Sequence, residues 1–251
     1  MKKRLKLTLL VISFIFITIF GTLTYIEYSR KSDMENRRVE DYFEQIESYY
    51  DQVNETYLST NANNLKYRDL FEKIYKEKHK SKDYLNRYKR CQRLNLILTY
   101  NSLVANNDLD YKFFLRVNNN LNLKMKGLKT NLLFSKNKSL INKMGEKELP
   151  DNLLDIKVVT KKDCDYCMDL KNNFRLVNLD FKTYSFDNPD DLEMIKNIES
   201  EYGKIILVPF VLIDDDNMKY GEEKEFKEEL TKKISNKIID IEREDKKGEE
   251  S

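Results

Sequence analysis

The 251-residue chain carries 45 Lys plus Arg against 43 Asp plus Glu, a net charge of +2 that gives no electrostatic ground for a nucleic-acid partner. With 40% hydrophobic residues it can bury at least one core, and only 6 Gly and 3 Pro favour helices over a turn-rich all-β fold. Three cysteines close at most one internal bridge, which excludes a disulfide framework, and a single histidine argues against Ser/His or Cys/His catalysis.

Residues 7–26 run for 20 positions without a charge, long enough for a helix to cross the hydrocarbon core of a bilayer. Lys2, Lys3, Arg4 and Lys6 precede the run, which places the N-terminus in the cytoplasm and the remainder of a single-pass protein outside it; Arg30, Lys31, Arg37 and Arg38 follow on the far side. The run exceeds the roughly 7–15 apolar residues of a signal-peptide core, and residues 21–25 contain no A-x-A-like exit. An uncleaved signal anchor over residues 1–31 is the expectation.

Residues 32–149 read as a helical spacer or bundle. Tyr42, Phe43, Ile46, Tyr49, Tyr50, Val53 and Tyr57 recur at intervals of three and four, a stripe on a helix for which Ser32 or Asp33 is a candidate cap. Asn61 to Asn64 is a break. Tyr67, Leu70, Phe71, Ile74 and Tyr75 form a second stripe, and Tyr84, Leu85, Tyr88, Cys91, Leu94 and Leu98 a third. Further helices are expected over 110–117 and 129–144, with Asn118-Asn119-Asn120 between them. Such stripes are core or the contact face of a helical partner, so residues 32–144 are a candidate partner surface. Cys91 falls on the buried side of its stripe and reads as a small hydrophobe rather than a redox partner. His79 sits in the charged segment 76–80, a solvated face. The glycosylation sequons at Asn54 and Asn137 read as chance matches in an Asn-rich chain.

Residues 145–152, with Pro150, mark a boundary, after which strand and helix signals alternate. A strand is expected over 156–160, a helix from Cys164 to about 176, and a strand over 180–186. Asn188 or Asp187 then caps a helix with Pro189 at its first position, ending at Gly203. A fully apolar strand over 205–213, a turn over 214–217, a short strand near 218–220 and a helix over 222–239 complete the order β-α-β-α-β-β-α. The charged tail 242–251 is expected to be disordered.

Cys164-Asp165-Tyr166-Cys167 stands where the first strand meets the first helix. Unpaired N–H groups and the helix dipole at that turn stabilise a Cys164 thiolate, and Cys167, one turn on, is in reach to close a ring. Lys161 and Lys162 favour the thiolate, whereas Asp163, Asp165 and Asp169 disfavour it.

The element order, the Cys164-x-x-Cys167 pair and Pro209 near the third strand together resemble the thioredoxin-like superfamily over residues 150–241. The resemblance implies an α/β fold with a mixed sheet flanked by helices over those residues, following the helical region and the transmembrane helix read from the earlier segments. It also implies a Cys164–Cys167 disulfide in which Cys164 attacks and Cys167 resolves, without a metal or cofactor. Pro209 resembles the family's cis proline, the Val208 backbone would pair with a substrate chain, and Asp165 and Tyr166 would face it. The implied activity is a membrane-anchored, extracytoplasmic thiol-disulfide oxidoreductase that reduces, forms or isomerises protein disulfides. The chain departs from the thioredoxin pattern at Asp163, where Trp is usual, at Asp165-Tyr166, where Gly-Pro is usual, and at Val158, where a buried acid is usual. Near Tyr220-Gly221 the glutaredoxin Gly-Gly pair is missing. A non-catalytic adaptor tethered at the membrane is the alternative reading. A zinc site built on Cys164 and Cys167 lacks further nearby ligands.

Overall fold

The computed structural model describes residues 2–58, 65–77, 84–105, 108–134, 153–177, 179–219 and 223–249, with no side chains described for 2–17, 57–58, 133–134, 219, 223, 245 and 247–249. The Asn61–Asn64 break, His79, the Asn137 sequon, the 145–152 boundary and Tyr220-Gly221 lie outside these residues. Among them, seven α-helices and one four-stranded mixed sheet make a mostly helical α/β protein. The helices before the sheet are α1 (Lys2–Val53), α2 (Arg68–Lys76), α3 (Tyr84–Val104) and α4 (Asp108–Phe134).

The chain divides into two compact units, Met1–Gln45 with Met125–Lys147, and Ile46–Lys124 with Glu148–Ser251. In the first unit α1 runs past Ser32 and Asp33 without a cap, because residues 27–41 are dominated by good helix formers and include the i,i+4 pair Glu27–Lys31 at 3.2 Å. Val39 and Phe43 of α1 and Met125, Leu128 and Leu132 of α4 are buried. Gly127 permits a close approach here, since a Cβ at that position would lie 2.5 Å from Cε1 of Tyr42. Among the described residues no helix is long and apolar enough to cross a membrane; the side chains of 7–17, the first half of the uncharged run, are not among those described.

In the second unit the expected stripes on α1, α2 and α3 are the buried faces. Ile46, Tyr50 and Val53 of α1, Leu70, Phe71 and Ile74 of α2, and Tyr88, Cys91, Leu94 and Leu98 of α3 are all buried. Tyr50 and Phe71 meet edge to face at 6.4 Å, and Tyr50 Oη donates to the carbonyl of Cys91 at 2.9 Å. The Asn118-Asn119-Asn120 run does not separate two helices; it lies inside α4. Asn118 is buried and donates to Ser102 Oγ at 2.9 Å, while that hydroxyl donates to the Leu98 carbonyl at 3.0 Å. A tertiary hydrogen bond on a buried face outweighs the roughly half kcal/mol by which Asn disfavours a helix.

Cys91 is a free, fully buried cysteine, and burial pushes its thiol up to about 12. The folded chain therefore keeps a proton that the unfolded chain, with a thiol pKa of about 8.5, gives up. Stability is full below that value and falls as pH rises toward 12, at about 1.4 kcal/mol per pH unit. With the Cys164–Cys167 disulfide closed, the unfolding free energy is expected to drop by about 2 kcal/mol between pH 8.5 and 10. In Cys91→Ala the decline should begin nearer pH 10, where Tyr50 and Tyr88, whose phenols burial also pushes up, start to contribute, and from a lower baseline; denaturant unfolding against pH measures both.

The sheet contains β1 (Ile156–Thr160), β2 (Lys182–Ser185), β3 (Phe210–Ile213) and β4 (Asp216–Lys219), interleaved with α5 (Asp165–Leu176), α6 (Leu192–Tyr202) and α7 (Glu223–Glu249). Its order is β2-β1-β3-β4, with β1 parallel to β2 and the other pairs antiparallel. Pairing sets Val159 and Leu212 on one face, where they pack with Ile195, Ile198 and Ile205 beneath α6. Val158, Val211 and Met218 lie on the opposite, buried face. Phe174 of α5 meets Phe226 of α7 at 5.6 Å. On its other side α7 packs against α3, and Ser235 Oγ lies 2.6 Å from Tyr67 Oη.

The strand expected over 205–213 is confined to its last four residues. Pro209 has no N–H, and the Val208–Pro209 peptide is cis, so ladder pairing begins only at Phe210. Ile205 is buried and donates its N–H to Glu199 Oε1 at 3.1 Å. Ile206 and Leu207, expected in a buried strand, are 85% and 81% exposed. The β3–β4 turn uses only Asp214 and Asp215, both left-handed at φ 50° and 64°, the geometry of a tight hairpin. Asp155 and then Asp215 accept hydrogen bonds from Lys157, which holds its ammonium well above the usual lysine range. The charged segment from Glu242 continues α7 to Glu249 instead of ending in a disordered tail, with Glu242 and Lys246 paired at 2.9 Å.

Candidate redox site

Strand β1 ends at Thr160, and the loop 161–163 delivers the chain to α5. Asp163 adopts a left-handed φ of 55°, which reverses the backbone and sets Cys164 at the N-cap of α5. The helix thus begins at Asp165, one residue later than the periodicity indicated. Cys164 Sγ accepts a hydrogen bond from the backbone N–H of Cys167 at 3.2 Å, one of the donors that a helix start leaves unpaired. Cys164 and Cys167 lie at disulfide distance, with Cα atoms 5.2 Å apart. Cys167 is the more buried, at 2% exposure against 8% for Cys164. Attack from outside therefore reaches Cys164 first.

The cis Val208–Pro209 peptide lies beside the pair, with the Val208 carbonyl 3.9 Å from Cys164 Sγ. Both residues are half-buried. Asp165 and Tyr166 face solvent, Tyr166 at 67% exposure. Lys161, Lys162, Asp163 and Asp169 are likewise exposed, so their charges act on Cys164 through a screened environment. Val158 is fully buried in β1, leaving no acid at that position. Cys91, buried in α3, is not part of the site.

Two contributors were not legible as such in the sequence. Ile206 and Leu207, expected within a strand, form an exposed apolar step separated from the cis proline by Val208; the signal is Pro209 itself, which ends ladder pairing on its N-terminal side. Of the two candidate caps, Asn188 takes the role, its Oδ1 accepting from the Asp190 N–H at 3.3 Å, and the Asp187 carboxylate instead accepts a hydrogen bond from the backbone N–H of Lys162 in the cysteine loop. Among the described residues no group of three or more His, Cys, Asp or Glu side chains is arranged to hold a metal ion. Compared with protein-family models, curated proteins and solved structures, the chain matches none.

Proposed function

We propose that the protein is a thioredoxin-like thiol-disulfide oxidoreductase, anchored to a membrane by residues 7–26 with its C-terminal domain on the extracytoplasmic side. The observation that carries this reading is the placement of Cys164 at a helix N-cap, at disulfide distance from Cys167 and beside a cis proline. The strand order β2-β1-β3-β4, with the cysteines after β1 and the proline before β3, accords with it. So do the exposed apolar side chains of Tyr166, within the cysteine motif, and of Ile206 and Leu207, just ahead of Val208, which suit polypeptide substrates. The anchor rests on the uncharged run and the basic residues before it.

In the reducing direction the Cys164 thiolate attacks one sulfur of a substrate disulfide. That bond breaks, the first substrate sulfur leaves as a thiolate, and a mixed disulfide forms at Cys164. Cys167, after losing its proton, attacks Cys164 Sγ; the second substrate sulfur leaves, and the Cys164–Cys167 bond carries the two electrons' worth of oxidation. The reverse sequence oxidises a substrate dithiol. Net direction follows from the potential of the pair relative to its partners.

The test uses the solubilised full chain, because α3 packs against α7 and a fragment starting near residue 150 would lose that contact. With a supplied thiol reductant it is expected to reduce a small accessible disulfide catalytically, and Cys164→Ala should abolish turnover. A wild-type chain that exchanges with no small disulfide would exclude the reading.

A further inference from the structure

We infer that Asp187 is a positioning residue for Cys164, holding the cysteine loop through the backbone of Lys162. The inference rests on the oxidoreductase reading for its functional meaning. The parallel register pairs Thr160 with Ser185, so the two chains leave the sheet side by side, one toward Cys164 and the other toward Asp187. Two sets of bonds tie these exits together. Phe186 N–H donates to the Thr160 carbonyl at 3.0 Å, and Lys162 N–H donates to Asp187 Oδ2. The carboxylate is itself fixed within its turn. Ser185 Oγ lies 3.5 Å from Asp187 Oδ2 and accepts the Asp187 N–H at 3.3 Å, while Asn188 N–H donates to the Ser185 carbonyl at 3.0 Å.

The residue after Lys162 is Asp163, in the left-handed region, and the next is Cys164. A non-glycine residue is disfavoured there because its Cβ crowds the backbone, so the conformation needs an external hold, and a charge-assisted bond to the preceding amide supplies one. Through that hold Asp187 keeps Cys164 at the N-cap, where its sulfur receives the Cys167 N–H. Loss of the hold lets the loop relax and weakens the interaction that favours the thiolate.

Charge and position predict opposite outcomes, which makes the role testable. Removing a nearby carboxylate charge alone would lower the Cys164 pKa; removing the hold raises it. The experiment is the pH-rate profile of Cys164 carboxymethylation by iodoacetamide in the reduced full chain, with the modified peptide identified by mass. Asp187→Ala is expected to slow the reaction about threefold at pH 7. Asp187→Asn, which keeps an acceptor oxygen without the charge, should restore it. Asp187→Glu keeps the charge but shifts the acceptor by a methylene, and should be slowed like alanine, which tests the inference even if Asp187→Ala does not fold. A profile in which Ala and Asn both react as fast as or faster than wild type, with Glu unchanged, would overturn it. Because alkylation needs no substrate disulfide, that outcome is distinct from failure of the proposed activity, which would appear as absence of turnover in the wild type.

Discussion

Replacing Cys167 with alanine is expected to turn a transient mixed disulfide into a stable one. Cys164 is the more exposed of the two residues and sits at the helix N-cap, so it retains its capacity to attack. What the variant loses is the second displacement, for which a thiolate must lie within bonding reach of Cys164 Sγ. Cys167 provides it from one turn into α5, with its own backbone N–H already on that sulfur. Incubated with a disulfide substrate, reduced Cys167→Ala should accumulate one covalent adduct per chain at Cys164, released by added thiol. Cys164→Ala should form none, because Cys167 is 2% exposed and out of reach of an external disulfide. Intact-protein mass spectrometry distinguishes these cases. Equal adduct formation by both variants would mean that the two sulfurs do not divide the roles.

The largest effect on stability is expected at Glu47, far from the cysteines in sequence. Arg90 is a buried cation at 3% side-chain exposure, and Glu47, itself 19% exposed, is its ion-pair partner. Arg87 reaches the same carboxylate at 3.8 Å, and the Tyr75 carbonyl accepts from Arg90 at 3.5 Å. Glu47→Ala leaves two closely spaced guanidinium groups without that carboxylate in a low-dielectric environment. The cost should be about 3 kcal/mol, toward the lower end for a broken buried pair because Glu47 retains some contact with water. For a chain of this size that corresponds to a fall in Tm of about 6–12 °C. Glu27→Ala, which removes a pair exposed at 63% and 70%, should change stability by less than about 0.5 kcal/mol. Calorimetry on the two variants checks the contrast. Similar shifts would show that burial does not set the worth of these pairs.

Much of the fold was readable from periodicity because its cores are built on continuous stripes. Phe43, Ile46, Tyr50 and Val53 are buried where a period of three and four placed them. The order of strands and helices after residue 153 followed from the alternation of apolar runs with capped amphipathic segments. The departures share a cause: a tertiary partner or a backbone constraint outweighed local preference. Asn118 stays helical because Ser102 receives its amide. Ile206 and Leu207 stay outside the ladder because they lie three and two residues before a proline that cannot donate to it. At the candidate site, the nearness of Cys164 and Cys167 was legible from spacing, since a helix start brings positions three apart together. The hold from Asp187 was not, because it depends on the parallel pairing of β1 and β2, a contact between segments 25 residues apart.

The central claim, that Cys164 and Cys167 are a reversible two-electron couple, is tested most directly by equilibrating the full chain in glutathione buffers of stepped ratio. Thiols are then alkylated and counted by mass. The expected result is a single transition in which Cys164 and Cys167 open together, with Cys91 alkylated only after denaturation. A pair that stays closed, or stays open, across the whole series, or cysteines that form separate glutathione adducts without a joint transition, would contradict it.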